Sequence, residues 1–255
     1  MTFARWPLAV PAALLLLALG APVAALLFAV TPADAVAALR APDVGAAAAT
    51  SLRASALAVA VALVLGVPAG YLIARGRAAA RGFFVLVFAL PLVFPPVAAG
   101  VMLLALVGNR QPVGAWLAAH GAPIVDRLAG VTLAEFFSCA PLVVIAAAAA
   151  FGEVDVRLEE AARTLGAGTL GVFARIAVPL AAPGIAAGAL LAWLRALGEY
   201  GATSVVAYHP ASLPIALYVA LSADGLQRAL AIAYVFAALA ACVVVTQALV
   251  RRRVL

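Results

Sequence analysis

The chain has 255 residues, of which 68% are hydrophobic and only 10% are charged. A soluble domain has about 25% charged residues, so this composition excludes an ordinary water-soluble globular protein. The net charge of +6 comes from 16 basic residues, all of them arginine. These arginines lie at the ends of apolar runs, a placement that indicates membrane orientation rather than nucleic-acid binding.

Six apolar runs have about the 20 residues that a helix needs to cross a bilayer. They cover approximately residues 6–30, 55–73, 83–107, 131–151, 183–203 and 229–250, with loops between them that include 31–53 and 204–228. Helices are expected because lipid offers the backbone no hydrogen-bond partner. The first run also begins like a cleaved signal peptide, but its greater length favours an uncleaved helix. The sequence therefore predicts an all-α membrane protein with six transmembrane helices.

The third run contains three prolines, Pro91, Pro95 and Pro96. Proline removes a backbone donor and kinks or breaks a helix. Two interpretations are open: a simple kink that helps packing, or a broken helix that lines a passage through the membrane.

The arginines are distributed unequally between the two sides of the predicted topology. Ten fall on one side, namely Arg5, Arg75, Arg77, Arg81, Arg157, Arg163, Arg175, Arg251, Arg252 and Arg253. Five fall on the other, namely Arg40, Arg53, Arg110, Arg127 and Arg228, and Arg195 lies within a run. The positive-inside rule then places both termini and residues 152–179 in the cytoplasm. We expect a multi-pass protein of the inner membrane.

Residues 152–179 form a polar loop between the fourth and fifth runs. Apolar residues recur there at helical spacing among charged ones, which predicts an amphipathic helix. Gly166 and Gly168 lie where this helix should stop. Thr169 is a candidate N-cap for a second short helix through Ala177, and Pro179 should end it. A loop lying on the membrane surface is the simpler alternative.

Within this loop, Glu160, Ala161 and Ala162 are followed by three residues and Gly166, then by nine residues, Ile176 and, two positions later, Val178 and Pro179. This spacing resembles the signature loop of type I ABC importer permeases, with Val178 in place of leucine. The resemblance implies that the loop docks on a separate ATPase subunit. The coupling residues would be Glu160, Ala161, Ala162, Gly166, Phe173, Ile176 and Pro179. Glu160 would anchor the loop through polar contacts, and Gly166 would set its turn.

Arg195 and Glu199 lie four positions apart in the fifth run, on one helix face. Charges at this depth face a cavity or each other, so a structural ion pair and a gate or pathway role are both open. Gly198 and Gly201 beside Glu199 would permit bending. Together with Pro95 and Pro96, these four residues are the candidate pathway. Glu135 near the start of the fourth run is either a partner for Arg195 or an interface residue.

Three stretches look like the molybdate and sulfate branch of these permeases: residues 91–100 (PLVFPPVAAG), 195–203 (RALGEYGAT) and 213–218 (LPIALY). The resemblance extends over about residues 50–250 and implies an oxyanion as solute. Other relatives carry phosphonates, ferric iron or polyamines. By this reading the chain divides into an N-terminal helix and loop (1–49), a transport domain (50–250) and a basic tail (251–255).

The sequence contains no catalytic or metal-binding pattern. His120 and His209 are isolated, Cys139 and Cys242 lie in apolar runs, and no phosphate-binding loop is present. We therefore expect no enzyme activity and no cofactor. The implied partners are ABC ATPase subunits, a second copy or a homologous permease, an extracytoplasmic solute-binding protein and the bilayer, and no nucleic acid. An ion-coupled secondary transporter, a membrane enzyme and a non-transporting scaffold are the rival hypotheses.

Overall fold

A computed structural model describes residues 6–254, except for the side chains of residues 6–8, 78–79 and 247–254. Arg5 and the side chains of Arg251, Arg252 and Arg253, which contribute to the predicted orientation, lie outside the described residues. Within these bounds the secondary structure is entirely helical. The helices are α1 (Trp6–Ala29), α2 (Pro32–Arg40), α3 (Pro42–Arg75), α4 (Ala78–Val93), α5 (Pro96–Val107), α6 (Pro112–Ala119), α7 (Leu128–Gly152), α8 (Val156–Thr164), α9 (Thr169–Val172), α10 (Val178–Leu197), α11 (Gly201–Val206), α12 (Leu213–Ala223) and α13 (Leu226–Val254).

The number of membrane spans agrees with the sequence prediction. Five helical stretches in the described part are long and apolar enough to cross a membrane, and α4 and α5 make a sixth when this bent pair is counted as one span. The two helices of this bent span meet at an angle of 104°. The break falls at Phe94 and Pro95, so the proline-rich run is a broken helix rather than a mildly kinked one.

Small residues bring α3, α7 and α10 close together. A Cβ atom added to Gly70 of α3 would lie 2.6 Å from the Cβ of Ala147, and one added to Gly184 of α10 would lie 2.6 Å from the Cβ of Ala150. Helices in lipid associate through such close backbone approach because no hydrophobic driving force acts between them. This three-helix core connects the two functional regions described below.

The expected loop at residues 31–53 is instead helical, and the prediction there was wrong. Thr31 caps α2: its Oγ1 accepts a hydrogen bond from the Asp34 amide at 3.2 Å, and its own amide donates to Asp34 Oδ2 at 3.2 Å. The Thr31 hydroxyl, which donates to Asp34 Oδ2 at 2.7 Å, and the Thr31 amide together lower the pKa of the exposed Asp34 carboxyl. Prolines at the first positions of α2 and α3 also favour helix starts. The second span consequently begins at Pro42, well before the expected residue 55.

The chain also continues as a helix through Pro179, where the sequence prediction placed an end. Residues 169–197 form one helical stretch that contains a π-helical turn at Phe173–Ala177. In this turn the Val178 amide donates to the Phe173 carbonyl, five residues back. Because proline has no amide hydrogen, it fits directly after such a widened turn without losing a hydrogen bond. Gly168, not Thr169, occupies the N-cap position.

The fifth span ends earlier than expected. Helix α10 stops at Leu197, and the short helix α11 begins at Gly201, so that Gly198, Glu199 and Tyr200 form a break. The predicted loop after the fifth span contains a further helix, α12, of 11 residues. The stretch after the third span contains the short helix α6, Pro112–Ala119.

Candidate functional site

The 152–179 loop begins with a regular helix and a defined stop. Asp155 caps α8 because its Oδ1 accepts a hydrogen bond from the Arg157 amide at 3.0 Å. After α8, Gly166 has a φ of +89°, a left-handed conformation that glycine adopts without steric cost. The Ala167 amide donates to the Ala162 carbonyl at 3.0 Å, and the Gly166 amide to the Arg163 carbonyl at 2.9 Å. These two bonds form a Schellman motif.

A buried carboxylate holds this loop to the membrane helices. Glu159 is fully buried, although α8 is otherwise largely exposed. Its Oε2 accepts a hydrogen bond of 2.7 Å from the Tyr71 hydroxyl, and its Oε1 accepts bonds of 2.9 and 2.6 Å from Nε and Nη2 of Arg75. We call Tyr71, Arg75 and Glu159 the Glu159 clamp. It fixes α8 to the end of α3.

Arg75 also binds the end of α7. Its Nη1 donates to the Phe151 carbonyl at 3.0 Å, and its Nη2 donates to the Val154 carbonyl at 3.2 Å. A cation is favourable at a helix C-terminus, where carbonyls lack partners within the helix. A single guanidinium therefore joins α3, α7 and α8.

Burial alone acts to raise the pKa of the Glu159 carboxyl. Hydrogen bonds from Arg75 and Tyr71, with the positive charges of Arg75 and Arg163, outweigh burial and lower the pKa below its ordinary value. Arg163 contributes a longer contact, 3.4 Å from its Nη2 to Glu159 Oε2. The carboxylate is thus charged and paired at neutral pH.

Aromatic packing supports the same junction. The Tyr71 ring lies edgewise to Phe151 at 5.2 Å and to Phe173 at 5.1 Å between ring centroids. Phe173 is therefore turned toward the membrane helices, where it packs within this chain. The resemblance to importer permeases had placed Phe173 among the coupling residues, whereas in this structure its ring packs against Tyr71 and Phe151.

The remaining loop residues selected from the sequence lie mainly at the surface. Glu160, Ala161, Gly166 and Pro179 are exposed, whereas Ala162 and Ile176 are half-buried. Leu165 and Leu170 are 90% and 77% exposed. The loop therefore presents an apolar, unpaired surface on a rigid support. Sequence reasoning missed Glu159, Tyr71 and Arg75, since two adjacent glutamates give no sign of which one faces inward.

The second candidate region is the break between α10 and α11. Arg195 Nη1 lies 2.6 Å from Glu199 Oε2, and the Glu199 side chain is only 1% exposed. Ser138 Oγ of α7 donates to Glu199 Oε2 at 2.9 Å, and the Ala202 amide donates to Oε1 at 2.9 Å. Glu199 thus accepts bonds from α7, α10 and α11. A carboxylate in the membrane needs such partners, so the structure shows an ion pair here.

The predicted pathway residues meet around this break. A Cβ atom on Gly201 would lie 2.5 Å from Pro96 Cβ, so α11 and α5 approach closely at these two residues. Pro95 precedes α5 at the 104° bend. Gly198 ends α10 with a φ of −88°, so its backbone is not strained. The broken third span and the broken fifth span consequently contact each other.

Glu135 behaves differently from Glu199. It is fully buried in α7, and neither carboxylate oxygen has a hydrogen-bond partner within the described part of the chain. Arg195 is paired with Glu199, so the suggestion that Glu135 serves Arg195 is wrong. Its burial inside the protein also excludes an exposed interface position in this chain.

Comparisons with known proteins agree with these features. Residues 62–255 match the family described as binding-protein-dependent transport system inner membrane component. A probable molybdenum ABC transporter permease protein of Haloferax volcanii is 39% identical over 219 residues, which cover 86% of this chain and 80% of the relative. The molybdenum transport system permease protein of Escherichia coli K12 is 39% identical over 180 residues, covering 69% of this chain and 79% of the relative.

Solved structures share the fold. A bacterial ABC transporter that imports the acidic polysaccharide alginate aligns over 98% of this chain and 96% of its own, with a TM-score of 0.73 and 18% identity. An inward-facing methionine ABC transporter aligns over 81% of this chain and 93% of its own, with a TM-score of 0.65 and 16% identity.

Proposed function

The chain belongs to the family of binding-protein-dependent transport system inner membrane components, and from this premise we propose that it forms the molybdate pathway of an ATP-driven importer. It is a multi-pass inner-membrane permease subunit of an ABC importer rather than an enzyme. In such systems a separate subunit hydrolyses ATP. We propose that the permease chain itself carries no cofactor.

The observation that supports coupling most strongly is the combination of an exposed apolar loop surface and the buried Glu159 clamp. Leu165 and Leu170 are 90% and 77% exposed on the 152–179 loop, and we propose that they contact the partner protein. The clamp fixes the loop to α3 and α7 through charged hydrogen bonds. A displacement of the loop by a partner would therefore move the membrane helices with it.

We propose that two ATPase subunits dock on two such loops in a permease dimer. Glu160, Ala161, Ala162 and Gly166 would meet the ATPase, while Ile176 and Pro179 shape the return to the membrane and Phe173 supports the loop from inside. The loop and both termini would lie in the cytoplasm. The transport domain would comprise residues 50–250, with the first helix before it and the basic tail after it.

The same proposal assigns alternating access to the two broken spans. Pro95 and Pro96 lie at one break, Gly198, Glu199 and Gly201 lie at the other, and the two breaks pack together. Breaks concentrate bending at a few backbone positions. We propose that they form the gate, and that the Arg195–Glu199 pair holds it in this conformation.

The solute assignment rests on the relatives. The two permeases compared above are named for molybdenum, and a Pyrococcus abyssi relative is named for molybdate and tungstate. The Arg195 charge is largely balanced by Glu199, so this chain alone offers little anion selectivity. We propose that an extracytoplasmic binding protein chooses the solute. An alginate transporter structure in complex with its pentasaccharide-bound periplasmic protein supports that arrangement.

The experiment is uptake into proteoliposomes that contain this permease, its ATPase and its binding protein. We expect molybdate uptake that requires ATP and survives collapse of ion gradients by ionophores. Sulfate, phosphonate, ferric iron and polyamine are the competing solutes, tested with the same vesicles. Uptake of one of these instead of molybdate would contradict the solute assignment, and gradient-driven uptake without ATP would indicate a secondary transporter.

A further inference from the structure

An apolar groove runs along α3 on the side that faces α4. One cavity of about 260 Å³ is lined by α3, α4 and α7, from Ala62 to Ala69 along α3. A second cavity of about 300 Å³ continues from Ala69 to Gly76 and is lined by α4 on its other side. Both cavities are bordered by Ala69 and Phe88, so they adjoin end to end, and together they define the groove.

The groove has the length of one membrane leaflet. From Ala62 to Gly76 an α-helix rises about 21 Å, at 1.5 Å per residue. Half of a bilayer including its headgroup region is about 20–22 Å thick. The groove begins in the apolar middle of α3 and ends where α3 ends. It therefore follows the path that a single lipid chain takes from the bilayer centre to its headgroup.

A cation lies at the outer end of this groove. Among the residues described as lining the two cavities, Arg81 alone is charged, and it borders the cavity nearer the end of α3. Its Nη2 atom lies 3.2 Å from the position that a Cβ on Gly152 would take, so it sits at the level of the 152–179 loop. Among the described side chains, no acidic group forms a salt bridge with Arg81.

We propose that this groove binds an anionic phospholipid of the leaflet on the side of the 152–179 loop. One acyl chain lies along Leu65, Ala69 and Phe88, and the headgroup phosphate pairs with Arg81. A small oxyanion does not fit the apolar interior, which has no donors for it. A helix of a second permease copy is too wide, because an α-helix with side chains measures about 10–12 Å across.

Such a lipid would lie between α3, which carries Tyr71 and Arg75 of the Glu159 clamp, and α4, which is the first half of the broken third span. The proposal depends on the groove and on Arg81, and it holds for any transported solute. Its test is therefore a binding measurement on the purified permease, separate from uptake.

The first experiment is native mass spectrometry of the full-length permease with added phosphatidylglycerol or phosphatidylcholine. Arg81→Gln should weaken phosphatidylglycerol binding about fivefold, the value of one arginine near an anionic headgroup. Arg110→Gln removes the same charge from the loop after α5, an exposed position that lines neither cavity, and should leave binding unchanged. Equal binding by wild type and Arg81→Gln, or equal affinity for the two lipids, would overturn the proposal.

The second experiment locates the acyl chain with a phosphatidylglycerol that carries a photoreactive group at mid-chain. Cross-links should concentrate on α3 and α4 around Ala69 and Phe88, and Ala69→Phe, which fills the groove, should remove them. Helix α1, whose Leu14 and Leu17 are exposed, reports the bulk lipid. Equal labelling of α1 and the groove would overturn the proposal, as would cross-links that persist in a folded Ala69→Phe variant. A groove occupied by a second permease copy would give neither lipid labelling nor lipid adducts.

Discussion

Arg75 and Glu159 are 84 positions apart in the chain, yet Arg75 Nη2 lies 2.6 Å from Glu159 Oε1. The carboxylate is fully buried, and the arginine is only 16% exposed. This pair connects a transmembrane helix to the loop proposed to receive the ATPase. Because both side chains are largely shielded from water, we expect the Arg75–Glu159 interaction to be stronger than a surface ion pair.

Glu159→Gln should destabilise the permease, whereas Glu160→Gln should not. The first change leaves Arg75 without its charged partner, a loss of about 3 kcal/mol for a buried pair. For a protein of this size that corresponds to a fall of roughly 6–12 °C in Tm. The second change alters an exposed carboxylate. Thermal unfolding of both variants in detergent is the measurement. Equal Tm values would show that the Glu159 clamp adds no stability.

ATPase binding, measured per folded molecule, should rank the two variants the other way. Glu160→Gln should bind less ATPase than Glu159→Gln. Glu160 is exposed on the proposed docking surface, so its loss should weaken co-purification with the ATPase although the fold is intact. Normal co-purification by Glu160→Gln would contradict the role inferred for this residue.

The Glu159 clamp also makes stability depend on acidity. The pKa of Glu159 is lowered in the folded protein, so the clamp's contribution is present above the pKa of the unfolded carboxyl and is lost as the pH falls through the lower folded value. We expect the Tm difference between wild type and Glu159→Gln to be constant above about pH 5 and to shrink below it. A difference that grows on acidification would contradict the lowered pKa.

Gly166→Ala should disturb the turn after α8. Gly166 has a φ of +89°, whereas Gly168 has a φ of −69°. A side chain in the left-handed region costs about 1–2 kcal/mol. Gly168→Ala is the matched control, because a Cβ there meets no atom within 4 Å. We expect Gly166→Ala to lower ATP-driven uptake and Gly168→Ala to retain it. The turn is unimportant for coupling if both variants transport normally.

The two membrane glutamates permit a direct comparison of one isosteric change. Glu199 accepts hydrogen bonds from Ser138 and the Ala202 amide and pairs with Arg195. Glu135 has no such partner among the described residues. Glu199→Gln should therefore reduce uptake at least about tenfold through loss of the ion pair, whereas Glu135→Gln should transport normally.

A double variant tests whether Arg195 and Glu199 affect transport as an ion pair or as two independent residues. If Arg195 and Glu199 act as a pair, Arg195→Met combined with Glu199→Gln should be less impaired than Arg195→Met alone, which leaves a buried carboxylate unpaired. Additive losses would show that each residue acts independently on transport.

The membrane spans could be predicted from the sequence because one pattern, a long run of apolar residues, marks each of them. Apolar length predicted the spans, and three prolines marked the third span, although only the structure distinguished a break from a kink. The helix ends were harder. The Thr31–Asp34 capping box was readable in the sequence, but the loop's mixed composition obscured it. The sequence prediction ended a helix at Pro179, whereas the helix continues through this residue in the structure. A rule based on proline alone does not detect the π-helical turn that precedes it.

Side-chain pairing across the chain was the least predictable feature. Helical spacing brought Arg195 and Glu199 to one face, and the structure pairs them. No local pattern connects Arg75 with Glu159, since their contact requires α3, α7 and α8 to meet. The sequence motif drew attention to Glu160 because it matches a family spacing. The structure adds Glu159 because burial and hydrogen bonding, rather than spacing, define its role.

The most direct test of coupling is the accessibility of a single cysteine at position 160, in a variant whose Cys139 and Cys242 are replaced. A membrane-impermeant maleimide is applied to sealed vesicles of known orientation, without the ATPase and with enough ATPase to saturate the variant, because the substitution itself is expected to weaken ATPase binding. The account predicts that Glu160→Cys reacts only from the cytoplasmic side and that bound ATPase protects it. Labelling from the opposite side, or labelling that the ATPase leaves unchanged, would contradict it.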